Sequence, residues 1–140
     1  MDAPAKPRPT VDNPDHSPFW EGTQSGELRV QRCRECGRFR WPPHPSCPGC
    51  RSFTTEWVTV APTGRLFTWN ICNQAMHPSF KEDVPFAIVI VALDEAPGVR
   101  MLGNLIGRDF DRLRADLPMR AVFQRLDAEV TLVQWEPIEG

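Results

Sequence analysis

Lysine is almost missing from this chain: of its sixteen cationic side chains only Lys6 and Lys81 are lysines, and the rest are arginines. Single-strand nucleic-acid binding tracks a strongly positive groove, and a formal net charge of −2 gives no global drive toward a polyanion. Histidine is nearly as scarce, with His16, His44 and His77 alone in the chain. A thiol nucleophile needs a base beside it, which leaves Cys72 with His77 five residues downstream, and no third, orienting group or oxyanion hole is visible for that pair. Runs of about eighteen apolar residues are also lacking, which excludes a membrane-spanning helix. The longest apolar stretch, Phe86-Ala-Ile-Val-Ile-Val-Ala-Leu93, is too rich in β-branched residues for a helix and predicts a strand buried on both faces. No apolar signal segment opens the sequence, so reduced cysteines and a cytoplasmic location are expected.

Against these gaps stand four cysteines in two Cys-x-x-Cys pairs ten residues apart, Cys33-Arg-Glu-Cys36-Gly37 and Cys47-Pro-Gly-Cys50. The spacing lets both thiolates of a knuckle reach one ion at about 2.3 Å, and two knuckles complete a tetrahedron. Gly37 and Gly49 are expected to permit the tight, partly left-handed turns that aim backbone N–H groups at sulfur. With all four positions filled by protein the ion, zinc, is structural and leaves no place for substrate. Disulfides suit the chain poorly, since a fifth cysteine, Cys72, has no partner. A redox Cys-x-x-Cys belongs beside a βαβ unit, which the pattern lacks. An iron centre of rubredoxin type has the same ligand set, and the cysteines alone do not separate it from zinc. His44 is expected outside the ligand shell, because the four sulfurs already suffice.

Residues 1–14 carry Pro4, Pro7, Pro9 and Pro14 with few apolar side chains and are expected to form a flexible tail. Residues 15–27 predict a short helix, capped by Asp15 or Ser17, opened by Pro18 and ending near Gly26; its Phe19-Trp20 pair is expected to pack within the protein rather than anchor a partner. Residues 28–53 form the ribbon, with Leu28–Arg32 leading into the first knuckle, Phe39–Trp41 returning antiparallel, and Pro42-Pro43-His44-Pro45 a rigid approach to the second. Residues 54–137 hold strand-like runs at 56–60, 65–71, 86–93, 99–106, 119–126 and 130–135, with a helical turn expected at Asp109–Leu113. Short strands with that one interruption predict a small closed barrel, a five-stranded OB-fold, because closure removes exposed edges. In the second run Phe67, Trp69 and Ile71 share a face at period two and are expected inside. The fold class is therefore mainly β: a short helix, a rubredoxin-like ribbon and an OB barrel.

The aromatic helix, the strand Gly26–Cys33, the two knuckles joined through Pro42-Pro43, the Thr63-Gly-Arg-Leu-Phe-Thr68 segment and Val84–Leu93 together resemble the family labelled domain of unknown function thirty-five. The resemblance covers about residues 13 to 137 and departs from the family pattern at Asp116-Leu-Pro118, where proline still allows a strand to open. It implies a zinc ribbon followed by an acyl-CoA-associated OB-fold that serves as non-catalytic partner of a thiolase-fold enzyme, a thiolase, aldolase or acyltransferase, in a hetero-oligomer. It also implies contact with coenzyme A near the entrance to that enzyme. Between Leu28 and Arg51 lie six arginines and one acid, Glu35, a charge of +5. Four thiolates and a divalent ion lower this to about +3. Arginine recognises phosphate bidentately, and Arg38 and Arg40 are the expected contacts to the coenzyme phosphates. The alternative is a single-stranded nucleic-acid-binding ribbon and OB protein, with Phe39, Trp41 and Trp57 stacking bases.

Overall fold

The computed structural model describes residues 5–138. Helix α1, Ser17–Gln24, begins after His16, with Pro18 in its first turn and Gly26 (φ +71°) just past its end. No side chain caps it, so neither Asp15 nor Ser17 fills the expected role. Phe19 is buried, edge-on to Trp20 at 4.9 Å and 4.4 Å from Trp41. The aromatic pair thus packs within the protein, locking the helix onto the ribbon.

Strands β1 (Leu28–Cys33), β2 (Phe39–Arg40) and β3 (Thr55–Val60) make an antiparallel sheet in the order β2-β1-β3. β1 and β3 pair along their whole length, from Leu28 opposite Val60 to Cys33 opposite Thr55. The run at 56–60, expected in the barrel, is therefore the third strand of the ribbon sheet. Its half-buried Trp57 and Val58 pack against the shared core instead of opening a new layer.

The remaining strands are β4 (Thr63–Cys72), β5 (Phe86–Leu93), β6 (Arg100–Asn104), β7 (Pro118–Arg125) and β8 (Thr131–Pro137), in the order β6-β5-β4-β7-β8. A parallel bridge between Leu105 and Trp135, with the Ile106 N–H on the Trp135 carbonyl at 2.8 Å, nearly closes them into a five-stranded barrel. Gly103 makes that closure possible: a Cβ there would lie 2.7 Å from Trp135 Cδ1 and 2.8 Å from the Val133 carbonyl. The expected helical turn is a 3-10 turn at Phe110–Arg112, between the third and fourth barrel strands, and Pro118 opens β7. Leu28, Val30 and Val60 of the ribbon sheet join Leu66, Val89, Val91, Met119 and Trp135 of the barrel in one buried cluster. Ribbon and barrel thus share a hydrophobic core.

Two expectations about faces are corrected by the backbone. The β4–β5 register shifts between Leu66 and Thr68, so Leu66 is buried while Phe67 turns outward and is 43% exposed; Trp69 and Ile71, beyond the bulge, pack against the core as expected. β5 buries Ala87, Val89, Val91 and Leu93 but leaves Phe86, Ile88, Ile90 and Ala92 only half covered. Among the described residues one face of this strand is therefore closed and the other only partly covered. Of the expected tail, Met1 to Pro4 lie outside the described residues, and the rest lacks regular structure while making ion pairs from Lys6 to Asp83 (2.7 Å) and Arg8 to Asp127 (3.0 Å). No helix among the described residues is long and apolar enough to cross a membrane.

Candidate metal centre

The knuckles are built by repeating one backbone device. In the first, the Gly37 N–H reaches the Cys33 carbonyl at 2.9 Å and Gly37 has φ +75°; in the second, the Arg51 N–H reaches the Cys47 carbonyl at 2.8 Å and Arg51 has φ +65°. The left-handed residue thus follows the last cysteine of each pair, and Arg51, not Gly49, holds it in the second. Gly49 serves in other ways: its N–H lies 3.4 Å from Cys47 Sγ, and its lack of a Cβ leaves room for the Arg38 guanidinium laid across it.

All four sulfurs lie within 4.8 Å of one another, with Cys33 and Cys50 3.5 Å apart and Cys36 and Cys47 3.6 Å apart. Tetrahedral zinc–thiolate bonds of about 2.3 Å place sulfurs about 3.8 Å apart, so the cluster fits the ion. The electrostatics agree. Backbone N–H groups of Cys50 and Gly49 outweigh burial and lower the Cys47 thiol to about 6, and that of Cys36 leads in lowering Cys33. At Cys50 the Ser52 N–H favours the thiolate, but the neighbouring sulfurs and burial outweigh it and push the thiol up to about 11. Four thiolates at this spacing require a cation, and a divalent ion reverses the penalty on the last of them.

A second set of residues holds the loop between the knuckles, and sequence reasoning passed over it. Gln31 and Arg40 are cross-strand partners on β1 and β2, both buried. Gln31 Oε1 accepts from the His44 N–H at 2.7 Å, and Arg40 Nε and Nη2 donate to the His44 carbonyl at 3.1 and 2.8 Å. Nη2 also donates to Thr55 Oγ1. His44 is thus gripped through its backbone, three residues before Cys47, while its exposed ring takes no part. A signal existed: Gln31 lies two residues before Cys33 and so shares its face of the strand.

This arrangement corrects the expectation for Arg40, a buried residue, 6% exposed, whose guanidinium is turned to the His44 carbonyl and Thr55 rather than offered to a phosphate. Arg38, Arg34 and Arg51 are exposed; Arg32 lies 5.4 Å over Phe39, and Arg29 pairs with Glu27 at 2.8 Å. Of the aromatics considered for base stacking, Trp41 is packed on Phe19, Phe39 lies under Arg32 and Trp57 is half-buried. Cys72 and His77 face separate partners: Sγ is 3.6 Å from Asn70 Nδ2, whereas His77 Nδ1 accepts from the Ser79 N–H at 3.1 Å and caps the 3-10 turn Pro78–Phe80.

Helix, four-cysteine ribbon and small barrel on one core define a rubredoxin-like zinc ribbon joined to an OB-fold. Family models describe the same two parts: "ChsH2, rubredoxin-like zinc ribbon domain" matches residues 20–56 and "ChsH2, C-terminal OB-fold domain" matches residues 57–124. The chain belongs to this ChsH2-type DUF35 family. A solved chain from "Ltp2-ChsH2(DUF35) aldolase" superposes with a TM-score of 0.79 at 32% identity, covering 93% of this chain and 98% of that one. Curated relatives include a "Probable enoyl-CoA hydratase alpha subunit" of Thermomonospora curvata, 33% identical over 94% of this chain, and a "3-oxo-4,17-pregnadiene-20-carboxyl-CoA hydratase alpha subunit" of Mycobacterium tuberculosis, 34% identical over 99%. This chain spans 40% and 42% of their lengths. A "DUF35 domain-containing scaffold protein" of Methanothermobacter thermautotrophicus is 26% identical over 76% of this chain and 78% of its own length.

Proposed function

We propose that the chain is a non-catalytic accessory subunit that binds a thiolase-fold enzyme acting on acyl-CoA, stabilises it and helps form its coenzyme entrance. The observation that carries this reading is the match, over nearly all of both chains, to a chain of the solved "Ltp2-ChsH2(DUF35) aldolase". The names of the hydratase alpha subunits, both specifying CoA substrates, support the substrate class. The site chemistry is compatible: four cysteine ligands saturate a structural ion, and Cys72 and His77 are held by other partners. Arg38, exposed beside the second knuckle, is the residue we assign to a coenzyme phosphate, as one member of a cytoplasmic hetero-oligomer.

The test is reconstitution. A tagged full chain expressed in its own host should bring down an acyl-CoA aldolase, thiolase or acyltransferase subunit, and adding the chain to that purified subunit should restore activity. A catalytic subunit fully active alone and forming no complex in size exclusion overturns the proposal.

A further inference from the structure

An antiparallel sheet with one face in solvent ordinarily alternates apolar and polar residues along each strand. β5 does not: its outward residues, Phe86, Ile88, Ile90 and Ala92, are apolar without exception. The neighbours extend this face at the Ile90 row only, since Ile88 lies between Asn70 on β4 and Asn104 on β6. Ile90 sits opposite Thr68 on β4 and Leu102 on β6, and Leu102 is 61% exposed. The bulge turns Phe67 onto the same side. Phe80 of the 3-10 turn comes within 6.1 Å of Phe86 at one end, while among the described residues Leu102 stays largely exposed, Phe67 carries only the Arg100 guanidinium, and Ile88 and Ile90 are partly exposed.

Charge identifies what belongs there. The next cross-strand row is Arg65, Ala92 and Arg100, so two guanidiniums border the apolar centre. Arg100 is held over the Phe67 ring at 3.8 Å, and Arg65 donates to the Asp116 carbonyl at 3.3 Å. Neither forms an ion pair among the described residues. Both are exposed cations oriented before any partner arrives.

We infer that the outer face of β4-β5-β6, centred on Ile90 and Leu102 and bordered by Arg65 and Arg100, is the docking surface for the catalytic subunit, which meets it with an apolar patch flanked by carboxylates. The inference rests on the accessory-subunit reading and gives it a location. It explains why β5 has the composition of a strand covered on both sides: the partner supplies the second cover.

The experiment measures affinity between the full-length chain and the catalytic subunit recovered with the wild type. Leu102→Asp and Arg100→Glu should each weaken the complex at least about tenfold, with zinc content and circular dichroism unchanged. Phe53→Asp, at an exposed aromatic side chain between the second knuckle and β3, should leave affinity as it was. Wild-type affinity in both face variants overturns the docking surface while the accessory role stands. A wild-type chain that binds no catalytic subunit fails the accessory role itself. A homodimer of the chain alone, dispersed by Leu102→Asp, assigns the face to a second copy and likewise overturns the inference.

Discussion

Arg51 holds a backbone position that glycine fills in the other knuckle, so the two halves of the metal site differ in strain. Arg51→Gly should leave the thermal midpoint of the zinc-loaded protein unchanged or raise it. Gly37→Ala should cost about 1 kcal/mol through the backbone alone, since the added Cβ would meet nothing closer than Arg32 Nη2 at 3.6 Å. Thermal unfolding of the two variants checks this contrast: Gly37→Ala lowers the midpoint and Arg51→Gly does not. The grip on His44 makes a separate prediction. Arg40→Met or Gln31→Leu removes no ligand, yet either frees the loop ahead of Cys47 and should weaken zinc binding about tenfold or more in competition with a chromogenic chelator. Unaltered affinity in both variants would show that the loop is held by the metal alone.

At the scale of the elements, barrel closure depends on the absence of a side chain at Gly103. Gly103→Ala should lower stability by about 1–3 kcal/mol in urea unfolding, because Trp135 is fully buried and has no room to yield. The N-terminal segment is tied differently. Arg8 leads the groups that hold the Asp127 carboxyl below its ordinary value, so this tether is complete at neutral pH and is lost as pH falls below about 4. Faster amide exchange around Asp127 at pH 3 than at pH 6, corrected for intrinsic rates, is the expected readout. Much of this architecture was legible in sequence: the cysteine spacing marked the ribbon, the alternation of β1 marked its strand, and Pro118 marked the start of β7. What escaped depended on pairing between distant segments. Nothing local reveals that 55–60 prefers β1 to the barrel, or that a bulge between Leu66 and Thr68 turns Phe67 outward. Nothing local distinguishes Arg40 from a surface cation, as most arginines are, and its burial follows from Gln31, His44 and Thr55, which only the folded ribbon brings together. The uniform apolar character of β5 was legible too, but which of its faces the described residues close depends on the packing of distant strands.

For the whole molecule the zinc acts as a clip. The residues between β1 and β3 are too few for a core of their own, and four cysteines with one ion hold them as a rigid, arginine-bearing lobe against a barrel whose core they extend. Removing the ion should therefore disturb association before it reaches any chemistry. The most direct measurement is activity of the catalytic partner assayed alone, with the zinc-loaded chain, and with the chain stripped by a chelator and then freed of it. Expected are low activity alone, full activity with the zinc-loaded chain, and loss of both complex and activity with the stripped chain, restored by adding zinc. A stripped chain that still binds and activates its partner would contradict this expectation.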